Sequence, residues 1–391
     1  MYKFFKADYI LPVNGLPIKN GVVSVNEQGE ILGLHHPDER ELENKEIEKH
    51  QGIITPGFVN SHCHLELSHL KSTIPKKEGL VSFIKNVLFH RKAEDDIILK
   101  AIENADDLMY KNGIVAVGDI SNTSSSKSTK KNSNIYYHTF IELMGFDPSK
   151  STEKFNEGLA LKDDFAHLPN SIVPHSSYSV SKELFNNISN YAKEIKNLVS
   201  IHSQESEEEN KLFRYKTGQF VDLFKSLNIN IDFFKPQGRN SLQSILSLLP
   251  KNQKILLVHN TYTSVKDIYF LNRMERDITW CFCPNANLYI ENSLPKLDLF
   301  LNHSFNITLG TDSLASNNTL CILAEIKTLS KHFPSLPLTT SIAWATLNGA
   351  RFLGIDKRYG SIEKGKIPGL NLITETKGLE ITSQSQVKKL I

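Results

Sequence analysis

Four histidines and several acids carry the chemistry that this sequence can do. His62-x-His64 stands at the end of a short apolar run, Phe58 to Asn60, that follows the turn Thr55-Pro56-Gly57. In a strand, residues two apart share a face, so both imidazoles project together as half of a metal site. His202 and Asp312 stand at the ends of two later β-branched runs and complete a donor set of three neutral imidazoles and one carboxylate. That set suits one divalent metal, Zn²⁺ first and Fe²⁺ as its substitute, with a position left for water. Such a metal brings the pKa of bound water toward neutrality. Glu205 follows His202 by three residues, on the first turn past the strand, where a carboxyl can shuttle a proton between water and a substrate nitrogen. The acids after it, Glu207 to Glu209, read as the solvated start of a helix. His259 is positioned to polarise hydroxide, to steady developing negative charge, or to be a further ligand. His175 and Glu66 are candidates for substrate contact, Glu66 through hydrogen bonds from substrate hydroxyls; His69, Arg91 and Arg214 read more simply as surface or loop residues.

These residues need elements that bring them to one place. Eight short apolar runs alternate with longer helical stretches: Phe58 to His62, Ile114 to Asp119, Ile135 to Glu142, Ile172 to His175, Leu198 to Ser203, Ile255 to His259, Ile278 to Cys283 and Ile307 to Asp312. Helices are expected over Asp95 to Asn112, Lys182 to Lys196 and Leu320 to Lys331, and Ser121 to Ser133 reads as a polar loop. Eight alternating units predict an α/β fold, a (β/α)8 TIM-type barrel, with polar residues gathered at the C-terminal strand ends where such barrels do their chemistry. The wide interval between His202 and His259 predicts an insertion within residues 205–250, a candidate lid. Residues 1–52 and 360–391 each carry short strands punctuated by turns such as Asn14-Gly15, and neither has enough strands for a core alone. The expectation is a small β-sandwich domain built from both chain ends, beside a catalytic domain of residues 53–359.

Composition excludes several classes. The 45 basic and 43 acidic residues give a formal net charge of +2, which argues against electrostatic nucleic-acid binding. Lysine-rich runs such as Lys127 to Asn132 read as solvated surface. Of four cysteines, Cys281 and Cys283 share a strand face and read as small core residues. No signal-like or membrane-spanning segment is present, so the expectation is a cytoplasmic protein without membrane partners.

Taken together, PGFVNSHCHLE, VPHSSYSVS, IHSQESEEE, LVHNTYT, CPNANLYI and LGTDSLASNN resemble segments of the amidohydrolase superfamily, in its deaminase and chlorohydrolase branch. The resemblance implies a metal on His62, His64, His202 and Asp312, Glu205 as proton shuttle, and His259 and Asp312 orienting hydroxide. The implied reaction is hydrolytic deamination of an adenine-like nucleoside or another amino-substituted heterocycle by metal-bound hydroxide. The HLELS segment and Glu205-Ser206 are similar to aminodeoxyfutalosine deaminases, with methylthioadenosine and adenosylhomocysteine deaminases next, and a homodimer is the assembly the resemblance implies. No lysine stands at the fourth strand end, which favours one metal over two. A cyclic amide hydrolase of the imidazolonepropionase kind is the alternative enzyme, and a non-catalytic scaffold the alternative class.

Overall fold

The β-branched runs become eight parallel strands: β1 (Phe58–Cys63), β2 (Ile114–Ser121), β3 (Tyr136–Leu143), β4 (Asn170–Pro174), β5 (Val199–Ser203), β6 (Ile255–His259), β7 (Ile278–Phe282) and β8 (Asn306–Leu309). The computed structural model describes residues 2–195, 197–303 and 306–391. Strands β1 to β4 form one parallel sheet and β5 to β8 another. Their residues are buried almost throughout, as expected where helices cover a parallel sheet. The two sheets meet at two seams. His202 N–H donates to His175 O at 2.9 Å at one, and Thr311 and Asp312 N–H both donate to His62 O at 3.1 Å at the other. A Cβ on Gly310 would lie 2.8 Å from His62 Cβ, so this second approach requires glycine. The arrangement is that of a TIM-type barrel.

Helices cover Asp95–Lys111, Lys182–Glu194 and Ile322–His332. The second opens on Ser181, whose hydroxyl accepts from Leu184 N–H at 3.2 Å. Lys196, the last residue of the expected Lys182–Lys196 stretch, lies outside the described residues. Both chain ends contribute strands beside the barrel. One sheet orders Ile31–His35, Val22–Val25, Lys3–Lys6 and Ile47–Lys49; a second orders Val387–Lys389, Leu370–Ile373, Ile53–Pro56, Tyr9–Ile10 and Ile18–Lys19. Phe5, Val23, Ile54 and Leu372 share one apolar cluster between them. Strand Ile53–Pro56 belongs to this terminal sheet and leads, after one residue, straight into β1.

The structure corrects the reading of 121–133 as a solvated loop. Lys127–Asn132 is a short helix, and it turns Lys130 inward. The Lys130 ammonium is fully buried, 2.7 Å from Asp119 Oδ2 and in reach of the Ser121 and Thr139 hydroxyls at 2.9 and 3.2 Å. Asp119 Oδ1 accepts from Leu65 N–H at 2.8 Å, so the pair pins the chain just past His64. Nearby, burial and then the Lys130 charge push His138 down to about 4.

Two outcomes are expected. Lys130→Met leaves Asp119 buried without its cation and costs about 3–5 kcal/mol in denaturant unfolding. His138 is held neutral when folded, so its contribution is present above its ordinary pKa and is lost as pH falls from about 6.5 through about 4. His138→Gln therefore flattens the loss of stability across that window, read as the slope of Tm against pH for variant and wild type.

Candidate active site

The strand ends deliver the expected residues to one buried mouth. His62 lies within β1 and His64 just past it, His202 in β5, His259 at the end of β6, and Asp312 three residues beyond β8. His64 Nε2 lies 3.2 Å from His62 Nε2 and 3.1 Å from His202 Nε2. Asp312 Oδ1 lies 3.7 Å from His62 Nε2 and 3.6 Å from His64 Nε2. His62, His202 and His259 also converge as a donor group.

The backbone is unusual where chemistry is expected. His259 and Asp312 adopt φ of 74° and 58°, and Gln204, just before Glu205, adopts 47°. Such left-handed torsions in residues other than glycine cost about 1–3 kcal/mol each and persist where surroundings over-determine them. Hydrogen bonds supply that constraint. His202 Nδ1 donates to His175 O at 2.8 Å, His259 Nδ1 to Asn287 Oδ1 at 2.8 Å, and Ser316 Oγ to Asp312 Oδ2 at 2.6 Å.

The donor chemistry fits a cation. His64 Nε2 has two imidazole nitrogens within 3.2 Å and is itself either one donor or one acceptor, so both contacts cannot be well-formed hydrogen bonds. A positive ion among them relieves that conflict. Burial first, then repulsion among the rings, holds His62 and His202 far below the usual histidine range, and ligand imidazoles must be neutral. Two overlapping groups, His62 with His64 and Asp312, and His62 with His202 and His259, have donor atoms close enough together to hold a cation.

Glu205 is buried beside them. Its Oε1 lies 3.6 Å from His259 Nε2, and burial, then the Asp312 charge, push its carboxyl well above the usual range. Its own N–H donates to Glu209 Oε2 at 3.3 Å, so Glu209 has an interior positioning role that the solvated-helix reading missed. His175 lines the same cavity, is pushed down to about 3 by burial and then by His64, and bonds Ser179 Oγ through Nδ1 at 2.6 Å.

Other expectations change. Glu66 lies beside the cavity and is absent from its wall: Oε2 accepts from Asn122 N–H, Thr123 N–H and the Thr123 hydroxyl at 3.0–3.1 Å, and Oε1 sits 3.7 Å from Arg91 Nη2. Its carboxylate organises the loop after β2. The cavity wall includes Glu142, at the end of β3, with no role assigned from sequence; burial pushes it up to about 7. The lid expectation also moves. Within 205–250 only Glu205 reaches the cavity, whereas Leu80, Phe83, Ile84, Val87 and Leu88 of helix Leu80–His90 line it. Helix Gln219–Ser226 packs against that helix. Five wall residues at helical spacing were the available signal. Arg91 lines the cavity; Arg214 is paired with Glu207; His69 Nε2 meets Arg91 O at 3.1 Å. Cys281 and Cys283 are buried in an apolar cluster, and among the described residues no helix is long and apolar enough to cross a membrane.

The profile of the amidohydrolase family matches residues 53–390, and the chain belongs to that family of hydrolases. An adenosine deaminase of Helicobacter pylori is 27% identical over 330 residues, covering 82% of this chain and 78% of the relative. Among solved structures, Helicobacter pylori aminofutalosine deaminase in complex with methylthio-coformycin superimposes with a TM-score of 0.81 at 20% identity, covering 100% of both chains. An adenosine deaminase from Xanthomonas campestris with bound zinc gives 0.75 at 20% identity, covering 95% of this chain and 84% of that one. At that identity the two structural likenesses are likenesses of fold.

If the four donors share one cation, His202→Ala reduces bound metal from one per chain to well below half, measured by elemental analysis after zinc loading and desalting. The same cation binds only the folded state, so chelation lowers Tm and restored zinc recovers it.

Proposed function

We propose that this amidohydrolase is a metal-dependent aminohydrolase that removes the exocyclic amine of an adenine-like nucleoside by hydrolysis. His62, His64, His202 and Asp312 hold one divalent cation in this reading, zinc foremost, whose chemistry when bound is to make hydroxide available near neutrality. The observation that carries the proposal is Glu205: a buried carboxyl, kept protonatable by its surroundings, that faces the cavity beside His259. A group of that kind takes a proton from water, delivers it to a ring nitrogen, and later protonates the leaving amine. The carbon–oxygen bond forms, the carbon–nitrogen bond breaks, and ammonia leaves.

His259 serves that proton path. Its Nδ1 proton is committed to Asn287, so Nε2 turns a lone pair toward Glu205 and the attacking oxygen. Asp312, anchored by Ser316, sets one oxygen toward the imidazoles and orients the nucleophile. His175 forms part of the wall that meets substrate. The relatives support the substrate class: one is named an adenosine deaminase, and another was crystallised with a coformycin derivative. The zinc in the Xanthomonas campestris structure supports the choice of metal. The apolar wall from helix Leu80–His90 suits a nucleoside that extends beyond its base and sugar, as in methylthioadenosine or aminodeoxyfutalosine. We also read residues 1–52 and 360–391 as one small β domain beside a catalytic domain of 53–359, with one adjustment: strand Ile53–Pro56 pairs with strands from both ends, so it belongs to the small domain and the boundary falls at Gly57.

The test is ammonia release by zinc-loaded protein from adenosine, methylthioadenosine, adenosylhomocysteine and aminodeoxyfutalosine. Turnover of at least one, abolished by chelation, is expected; silence across all four with metal bound overturns the reading. Glu205→Gln should lower kcat roughly 10²- to 10⁴-fold while keeping its metal. Near-normal kcat in that variant refutes the shuttle.

A further inference from the structure

We propose that Glu142, held by Asn122, recognises the vicinal diol of the substrate's sugar and so makes the enzyme selective for ribonucleosides. This rests on the deaminase reading above and adds a specificity-determining residue to it.

Glu142 is the second-last residue of β3 and is 5% exposed, yet it lines the cavity. Asn122 fixes it from one side: its side-chain amide donates to Glu142 O at 3.0 Å and to Oε2 at 3.1 Å. The other oxygen is left over. Oε1 lies 3.4 Å from His202 Nδ1, but the one proton on that nitrogen goes to His175 O at 2.8 Å. Among the described residues no group donates a hydrogen bond to Oε1. A carboxyl oxygen has lone pairs that accept hydrogen bonds, and leaving such an acceptor without a donor in a largely buried site is costly. Here the open sites face a cavity, so a ligand is the natural donor.

The chemistry of the cavity restricts which part of the ligand this is. Of the three carboxyl groups on its wall, Glu205 is engaged at His259 and Asp312 at His62, His64 and Ser316. Both stand where the reacting carbon and the departing amine must be. Glu142 remains for the part that does not react, and its wall continues into apolar Met144, Leu67 and Phe83, whose side chains offer no hydrogen-bond donors. In a nucleoside, the non-reacting part richest in donors is the sugar, whose adjacent 2′ and 3′ hydroxyls can both reach one carboxylate. A site that commits a buried carboxylate to such hydroxyls rejects analogues lacking them, because the acceptor is then left unpaired.

The experiment compares adenosine, or methylthioadenosine where that is the better substrate, with its 2′-deoxy and 3′-deoxy counterparts, in zinc-loaded wild type and in Glu142→Gln. In wild type, losing a contacted hydroxyl should lower kcat/KM roughly 10- to 100-fold. Glu142→Gln should lower kcat/KM for the ribonucleoside by a similar factor, add little further loss for the deoxy substrate, and leave the metal content at one per chain. Wild-type indifference to both hydroxyls overturns the inference without recourse to any variant. So does a Glu142→Gln loss that is equal for ribo and deoxy substrates, or that follows loss of metal, since either makes Glu142 a support for His202. Those results leave the deaminase reading standing. Absence of turnover of every adenine nucleoside by wild type overturns that reading and this one with it.

Discussion

The structure depends on keeping several imidazoles neutral and dry at the ends of different strands. Histidine prefers to be charged when water is near and acids surround it; burial reverses that preference. His62 and His202 are buried deeply enough that their lone pairs remain free, and their rings are too close for all contacts to be hydrogen bonds. The barrel supplies the rigidity that holds such a conflict in place. Strand registers fix the Cα positions, and hydrogen bonds to His175 O, Asn287 and Ser316 fix the groups that the registers do not.

Around that centre the supporting polar groups form a second layer that works by displacement. Glu66 holds the turn at 122–123, which delivers Asn122 to Glu142. Asp119, neutralised by Lys130, holds Leu65 N–H and with it the exit from the His62-Cys63-His64 strand. Glu209 plays the same part under Glu205. Each is a buried acid with an assigned donor, and each ties a loop to the strand end beside it. The left-handed torsions at His259 and Asp312 are held by other bonds, to Asn287 and from Ser316.

Much of this was legible in the sequence. The eight strands and the donors at their ends could be read because β-branched runs and the His-x-His spacing are local signals. What was missed depends on partners far away in the chain. Lys130 sits in a lysine-rich run whose pattern is that of surface, and only Asp119 and the hydroxyls of Ser121 and Thr139 make its burial favourable. Glu66 and Glu142 are indistinguishable as isolated glutamates; the loop at 122–123 bonds one oxygen of each, and only Glu142 reaches the cavity wall. Length alone pointed to 205–250 as the covering element, whereas most of the apolar residues that wall the cavity are on the helix Leu80–His90.

The second seam has a consequence in time. His62 and Asp312 face each other across the junction of the first and last barrel strands, 250 residues apart in the chain. On a ribosome, where the chain emerges from its N-terminus, His62 and His64 are exposed long before Asp312 has been made. The full donor set cannot exist on a nascent chain until the last strand has left the exit tunnel. Until then these histidines are an incomplete chelator.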